Sequence, residues 1–199
     1  MKRICVFCGS REGTKPVYVE AARALGCLLA REGISLVYGG GGIGLMKLLA
    51  DAVLDAGGQV TGVIPHALTI QEIAHPRVTD LRIVGSMHER KALMAELSDA
   101  FIALPGGYGT LEEFCEVVTW AQLGLHQKPC GLLNVAGFYD PLLAQLNRQV
   151  AEGFLSPTMR TLVIEAKEPE QLLADLKAYR SPVTERWMKE GRGEGGMFP

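Results

Sequence analysis

Short apolar runs that end in glycine-rich turns recur along this chain, and each turn is followed by a segment with helical spacing. Ile4–Phe7 ends at Gly9-Ser10, 34–38 ends at four consecutive glycines, and 100–104 ends at Pro105-Gly106-Gly107. Uninterrupted apolar strands that alternate with amphipathic helices are typical of a parallel sheet covered on both faces. The pattern therefore predicts an α/β fold, a Rossmann-like, doubly wound parallel sheet with three α/β/α layers.

Glycine and proline mark the boundaries of the predicted elements. Strands are predicted at 4–7, 34–38, 60–64, 81–84, 100–104, 129–134 and 162–166, and helices at 17–32, 44–56, 87–97, 110–123, 141–151 and 169–179. Residues 65–80 show no regular pattern. We expect one domain over residues 1–180, followed by a polar, glycine-rich tail at 181–199 that is flexible.

The composition fits a single globular domain of 199 residues that needs no disulfide or metal for its core. A formal charge of -2 gives no electrostatic reason to expect nucleic acid or an anionic membrane as a partner. No apolar run is long enough for a signal peptide or a membrane span. The five cysteines are interpreted as reduced, buried thiols, so the expected location is the cytoplasm.

The first glycine loop, Gly39 to Gly44, fits the G-x-G-x-x-G pattern of dinucleotide sites. Such sites also need Asp or Glu at the end of the next strand, but Pro65-His66 stands there. A P-loop is excluded as well, because no Gly-Lys-Ser/Thr follows the glycines. We therefore favour contact with a phosphate over a complete NAD site. A purely structural role, in which the glycines allow a tight turn from strand to helix, stays open.

The second glycine loop precedes a helix predicted to start at Thr110. Thr110 and Glu113 have the spacing of a capping box, which would account for both residues structurally. A cap does not require Gly106, Gly107 and Gly109 as well, and glycines with free amides before a helix favour an anion site. Glu113 would then lie one helical turn behind a bound phosphate, within reach of the attached sugar.

A third loop leads into a helix that carries two cations in its first turns. Ser86 and Glu89 have capping-box spacing, and Arg90 and Lys91 follow them. Cations near a helix N-terminus oppose the helix dipole, so a neighbouring carboxylate or a bound anion is expected to compensate them. No His, Cys or acidic cluster has metal-ligand spacing, so neither a metal nor a cofactor is predicted.

Together these segments resemble the LOG (Lonely Guy) family of cytokinin riboside 5′-monophosphate phosphoribohydrolases over residues 5–165. The segments that carry the resemblance are Cys8-Gly9-Ser10, Tyr38-Gly39-Gly40-Gly41, Gly44-Leu45-Met46, Met87-His88-Glu89-Arg90-Lys91, Pro105–Glu113, Thr119–Gly124, Lys128-Pro129 and Gly131–Asn134. The resemblance implies that Arg90 and Glu113 are the catalytic pair. The residues expected to bind substrate are Ser10, Gly40, Gly41, Glu72, Met87, Lys91, Gly106, Gly107, Tyr108, Gly109, Thr110, Glu112 and Thr119.

The resemblance implies hydrolysis of the N-glycosidic bond of adenine-type nucleoside 5′-monophosphates, with release of free base and ribose 5-phosphate. It also implies a homodimer. Members of the family have been labelled lysine decarboxylases, but this sequence contains no identifiable lysine environment for pyridoxal phosphate. The alternative is a carrier without catalysis, because the chain also resembles, more distantly, molybdenum-cofactor carrier proteins.

Overall fold

Seven parallel strands form one sheet in the part of the chain that the computed structural model describes, residues 1–69 and 74–183. The strands are β1 (Arg3–Phe7), β2 (Ser35–Tyr38), β3 (Val60–Pro65), β4 (Asp80–Val84), β5 (Ala100–Ala103), β6 (Cys130–Leu133) and β7 (Val163–Ala166). The helices are α1 (Pro16–Arg31), α2 (Gly44–Asp55), α3 (Met87–Glu96), α4 (Tyr108–Gln122), α5 (Asp140–Ala151), α6 (Pro157–Arg160) and α7 (Pro169–Ala178). The predicted α/β fold is confirmed, and the ends of every predicted element are shifted by two residues at most.

The strand order β4-β3-β2-β1-β5-β6-β7 places the first strand in the middle of the sheet. From β1 the chain builds outward through β2, β3 and β4, and it then returns to place β5 on the other side of β1. The winding direction therefore reverses between β1 and β5. In open parallel sheets the crevice at such a switch point, at the carboxyl ends of the strands, is the usual place for a ligand.

Two apolar clusters pack on opposite faces of the sheet. Successive residues of β1 alternate between them, with Ile4 and Val6 in one cluster and Cys5 and Phe7 in the other. The first cluster is completed by buried residues of α1, α2 and α7, and the second by those of α3, α4 and α5. Both faces are thus covered by helices, which is why the central strands are largely apolar, whereas the edge strand β4 carries Asp80 and Arg82.

Two features of the structure differ from the sequence-based expectations. Helix α4 begins at Tyr108, with Gly107 as its N-cap, so Thr110 lies inside the helix and the predicted capping box is wrong. The glycines at 106, 107 and 109 had suggested a longer turn, but the helix starts within it. The four-residue α6 was not predicted, because it is too short to show helical periodicity.

The cysteines also need a correction. All five are free, but Cys27 and Cys115 are exposed rather than buried. Both lie on helices whose other face packs on the sheet, so an apolar neighbourhood in the sequence did not imply burial in the fold. Within the described residues, none of the helices combines the length and apolar character needed to cross a bilayer.

The connection between β3 and β4 includes one turn of 3-10 helix, His66–Leu68, and a single bridge between Ala74 and Gly41. The buried His75 anchors the second half of this connection. The backbone N–H of His75 donates to the Gly40 carbonyl at 3.0 Å, and the ring Nε2 of His75 lies 3.2 Å from Oδ1 of Asp51 on α2. Glu72, predicted to bind substrate, lies outside the described residues. So does most of the predicted tail, from residue 184 onward.

Candidate active site

Three loops are joined by backbone contacts at the switch point. The N–H of Gly9, after β1, donates to the carbonyl of Pro105, after β5, at 3.1 Å, and the Gly9 carbonyl accepts from the N–H of Leu45 at 3.1 Å. Gly44 has φ of 56° and lies so close to Ser10 that a Cβ would approach its carbonyl carbon to 2.3 Å. Glycine is therefore required at 44, and the loops hold one another in place.

A cavity of about 260 Å³ opens beside these loops. It is lined by Cys8, Gly9, Ser10, Met46, Leu68, Met87, Arg90, Gly107, Tyr108, Gly109, Thr110, Glu112 and Glu113. These residues come from the ends of β1 and β5 and from the starts of α2, α3 and α4, together with the 3-10 turn after β3. Most of the residues predicted to bind substrate, and both members of the predicted catalytic pair, are thus brought to one cavity.

Arg90 reaches the cavity from a buried position on α3. Its Nε donates to the carbonyl of Val63 at 3.1 Å and its Nη2 to the carbonyl of Gly39 at 3.0 Å. These carbonyls belong to β3 and to the loop after β2, on the far side of the site from α4. A charged group that is 95% buried needs such partners to offset its desolvation. The guanidinium is therefore held in a fixed orientation by backbone dipoles.

Glu113 lines the same cavity from the second turn of α4 and is half-buried. The pKa of the Cys8 thiol is raised far above its ordinary value, first by burial and then by the Glu113 carboxylate, while the Arg90 guanidinium acts in the opposite direction. Both charges thus act on one thiol at the end of β1. A carboxylate and a guanidinium in one small cavity can act together on a ligand held there.

The first residues of α4 and its N-cap, 107 to 110, line the cavity. Its N-cap, Gly107, has no side chain to cap the first amides, and the first helical hydrogen bond runs from Leu111 N–H to the Gly107 carbonyl. A Cβ on Gly107 or on Gly109 would meet nothing within 4 Å, so packing does not demand glycine at either position. Open amides at the positive end of a helix dipole are suited to an anion.

Gly106 has a different role, because a Cβ there would lie 2.1 Å from Oγ1 of Thr110. This glycine lets the loop pack against the first turn of α4, where Thr110 is buried. Gly106 lines a second cavity of about 560 Å³ on the other side of the loop, toward Tyr18 and Phe138. The two cavities share the wall formed by Gly9, Ser10, Gly107 and Tyr108.

The first glycine loop lies next to the cavity but is engaged by the protein itself. Besides the bond from Arg90 to Gly39, the Gly40 carbonyl accepts from His75 N–H and the Gly41 carbonyl accepts from Tyr38 Oη at 3.3 Å. Among the described residues that line the two cavities, neither Gly40 nor Gly41 appears. Contact of Gly40 and Gly41 with substrate stays a prediction.

Lys91 and Thr119, also predicted to bind substrate, point elsewhere. The ammonium of Lys91 contacts carboxylates of α4, as described below. Thr119 lies three turns into α4, donates its hydroxyl proton to the Cys115 carbonyl at 2.7 Å, and lines a separate groove between α4 and α5.

Sequence reasoning did not single out Cys8, Gly9, Met46 and Leu68 as cavity residues. The first three lie in segments that carried the family resemblance, so the signal was present without a role attached to it. Leu68 lies in the region without regular pattern, and nothing in the sequence indicated its position. Met46, Leu68 and Met87 add apolar side chains to the cavity lining, and the Met87 sulfur lies 3.7 Å from Nη1 of Arg90.

Two comparisons with known proteins concern sequence. Residues 46–176 match the family model described as "Possible lysine decarboxylase". Cytokinin riboside 5′-monophosphate phosphoribohydrolase LOG1 of Arabidopsis thaliana is 54% identical over 178 residues, which are 89% of this chain and 84% of the relative. The phosphoribohydrolase LOG of Oryza sativa subsp. japonica is 54% identical over 178 residues, 89% of this chain and 74% of the relative.

Among solved structures, the molybdenum cofactor binding protein of Rippkaea orientalis is similar, with a TM-score of 0.68 and 27% identity over 89% of this chain and 97% of that one. The molybdenum cofactor carrier protein of Chlamydomonas reinhardtii gives a TM-score of 0.67 and 22% identity over 89% and 96% of the two chains, which shows a shared fold alone. The much higher identity lies with the phosphoribohydrolases. On its family model and on its identity with these relatives, the chain belongs to the LOG family of cytokinin riboside 5′-monophosphate phosphoribohydrolases.

Proposed function

We propose that the chain hydrolyses the N-glycosidic bond of adenine-type nucleoside 5′-monophosphates, plain or N6-modified, and releases free base and ribose 5-phosphate. Relatives that are 54% identical over most of the chain are named for this reaction. The observation that carries the proposal is that a single cavity contains Arg90, Glu113 and the open N-terminus of α4.

The N-terminus of α4 is the proposed site of the 5′-phosphate. The N-cap residue, Gly107, has no side chain that could cap the first amides of the helix. The glycines at 107 and 109 also leave room for an anion to approach the backbone. The phosphate is not cleaved in this reaction. Its binding energy positions the sugar, so that nucleosides without phosphate are expected to react slowly, and not merely to bind weakly.

Glu113 is the proposed catalytic carboxylate. When the bond from C1′ to the base nitrogen breaks, positive charge develops on the ribose, and a nearby carboxylate stabilises that transition state. The same carboxylate orients the attacking water and accepts its proton, while the water oxygen bonds to C1′ and the base leaves with a proton in place of the sugar. Arg90 keeps Glu113 ionised and binds the substrate.

The apolar side chains of Met46, Leu68 and Met87 are the proposed contact for the base. A purine ring presents an apolar face, and thioether side chains adapt to rings of different substitution. These side chains line the same cavity as Gly107 and Gly109, where the phosphate is proposed to bind.

The test is to incubate the protein with AMP and with N6-isopentenyl-AMP and to measure free base by chromatography. Adenosine is the matched control without phosphate. We expect base from at least one nucleotide and much less from adenosine. A folded protein that releases base from neither nucleotide would refute the proposal.

The alternative is binding without turnover, and the similarity to the molybdenum cofactor binding protein of Rippkaea orientalis favours it. The two alternatives differ in what they require of Glu113. A carrier retains its ligand when Glu113 is replaced by Ala and converts nothing, whereas the hydrolase loses turnover.

We further propose a homodimer in the cytoplasm. The groove between α4 and α5 is largely apolar, and Leu123 and Leu125 at the end of α4 are 60% and 70% exposed. Burying such a surface against a second copy would remove it from water. The free cysteines fit a reducing compartment. Light scattering at micromolar concentration tests the dimer, and a monomer would contradict it.

A further inference from the structure

Lys91 follows Arg90 on α3 but faces a different partner. Its Nζ lies 2.5 Å from Oε1 of Glu112 and 3.0 Å from Oε1 of Glu116, both on α4. Its side chain is 11% exposed, and among the described residues that line the cavity Lys91 does not appear. The two neighbouring cations of α3 thus have different partners. Arg90 donates to backbone carbonyls of β3 and of the loop after β2, and Lys91 pairs with carboxylates of α4.

The two carboxylates are four residues apart, so they project from one side of α4 in consecutive turns. Lys91 contacts both, which fixes the rotation of α4 as well as its distance from α3. Glu113 is adjacent to Glu112 in this segment of the helix. Any shift of α4 relative to α3 moves Glu113 relative to Arg90 by a similar amount.

The ion pair also balances charge around the site. Burial on its own would lower the pKa of Lys91, but its hydrogen bonds to Glu112 and Glu116 outweigh that effect, and the pKa is raised. Lys91 thus stays charged at neutral pH. Three carboxylates, Glu112, Glu113 and Glu116, occupy two turns of α4, close to the proposed site of an anionic phosphate, and Lys91 compensates Glu112 and Glu116.

Glu116 depends on this contact for its solvation. Its Oε1 accepts from Lys91, while its Oε2 is buried and makes no hydrogen bond to any of the described residues. A buried carboxylate that has lost its cation carries a large desolvation cost.

We infer that Lys91 is a positioning residue, which holds α4 and its Glu113 in register with Arg90 through the bridge to Glu112 and Glu116, and that it does not itself contact the substrate. This inference rests on the proposed function. It differs from the expectation that Lys91 binds the nucleotide, since an ammonium with two carboxylates at 3.0 Å or less has little charge left for a phosphate.

The kinetic constants separate the two roles. Loss of a phosphate ligand weakens ground-state and transition-state binding together and raises KM. Loss of a positioning contact misplaces Glu113 at the reacting carbon, and a displacement of about 1 Å costs on the order of 100-fold in rate. For Lys91→Met we expect kcat on AMP to fall by about 10- to 100-fold, with KM changed by only a few-fold.

The pH dependence provides a second readout. Among the described residues, the charged or titratable groups near Glu113 include Arg90 on α3, the thiols of Cys5 in β1 and of Cys8 just after it, and Glu112, Cys115 and Glu116 on its own helix. Removing the Lys91 charge leaves two carboxylates uncompensated, which favours the protonated form of Glu113. The acid limb of kcat/KM should therefore move to higher pH in Lys91→Met and return in Lys91→Arg, which keeps the charge.

Wild-type turnover is measured first, because a wild-type protein that releases no base refutes the proposed function before any variant is made. Lys177→Met is the matched control, since Lys177 pairs with Glu32 at 2.7 Å far from the site, and its kinetics should equal those of wild type. If Lys91→Met does not fold, the double variant Lys91→Met/Glu116→Gln removes the unpaired buried carboxylate. We expect that protein to fold and to keep the low kcat.

A fall in kcat with little change in KM, a shifted acid limb and recovery in Lys91→Arg support the inference. A higher KM with unchanged kcat, wild-type kinetics in Lys91→Met, or a loss that Lys91→Arg does not restore would overturn it.

Discussion

Gly39 and Arg90 share one space: a Cβ on residue 39 would lie 1.9 Å from Nη2 of Arg90, the nitrogen that donates to the Gly39 carbonyl. The missing side chain is what allows the guanidinium to reach this carbonyl. The first glycine loop resembles a dinucleotide-binding pattern, but at Gly39 the space that the glycine leaves is filled by the Arg90 side chain and not by a ligand.

Gly39→Ala is expected to displace Arg90 and to lower kcat. Because the Cβ would meet the charged end of the side chain, the guanidinium has to leave its position relative to Glu113. We expect a loss on the order of 100-fold in kcat on AMP. Steady-state kinetics and a melting curve measure the effect.

Gly57→Ala is a suitable control for that variant. Gly57 has φ of 77° at the end of α2, where Ala costs roughly 1–2 kcal/mol, but it lies far from the site. It should lower the melting temperature and leave kcat unchanged. If Gly39→Ala keeps full kcat, the position of Arg90 does not limit the reaction.

Glu113→Gln removes the proposed catalytic charge and keeps the size of the side chain. The structure assigns the N-cap of α4 to Gly107, so the substitution does not remove a cap. We expect kcat to fall by about 10²–10³-fold with a nearly unchanged melting temperature. Glu170→Gln, at a surface ion pair with Arg31, is the control. Turnover within a few-fold of wild type in Glu113→Gln would exclude the catalytic role.

The glycines before and within α4 should respond differently to Ala. Gly107→Ala and Gly109→Ala place a methyl group in open space, so the fold should tolerate both, and Ala favours the helix at 109. The same methyl groups would obstruct an anion, so we expect KM for AMP to rise about tenfold, the equivalent of one hydrogen bond.

Gly106→Ala should instead lower stability, because its Cβ would overlap Thr110. Melting curves and KM for the three variants form one experiment. An unchanged KM in both Gly107→Ala and Gly109→Ala would place the phosphate elsewhere.

Asp51 should make the stability depend on acid pH. Burial disfavours its ionised form, but Lys47, His75 and Arg77 outweigh burial and hold the pKa of Asp51 below its ordinary value of 3.8. With the folded pKa depressed, its stabilisation is complete above 3.8 and is lost as pH falls through the folded value.

Asp51→Asn should therefore lower the free energy of unfolding by roughly 1 kcal/mol at neutral pH, with the difference disappearing in acid. Urea unfolding of both proteins across this pH range measures it. A difference that stays constant with pH would show that charge is not responsible.

The elements of the fold were predictable because their signals are local. Apolar runs of four or five residues, glycines such as Gly33 and Gly57 after helices, and helical spacing all lie within short windows of sequence. The start of α4 was misplaced because Thr110 and Glu113 fit a capping pattern, whereas packing of Thr110 against Gly106 and burial in the fold determined where the helix begins.

The contacts of the site were less accessible to sequence reasoning. The two cations of α3 were expected to need partners, but the carbonyls of Gly39 and Val63, and the carboxylate of Glu116, are distant along the chain. Such partners depend on the order of the strands, which a single sequence does not specify. The family resemblance identified Arg90 and Glu113 without the contacts that hold them.

The central position of β1 has a consequence for folding during synthesis. Ile4 pairs with Ala100, so β1 can meet its second neighbour only after β5, far along the chain, has been synthesised. Closing so long a loop is costly mainly in time, since each doubling of loop length adds only about 0.6 kcal/mol. Until β5 and α4 emerge, a nascent chain has Arg90 but no Glu113 beside it. Nucleotide binding should therefore report completed folding, and added nucleotide should protect the full chain, but not a fragment that ends before β5, from proteolysis.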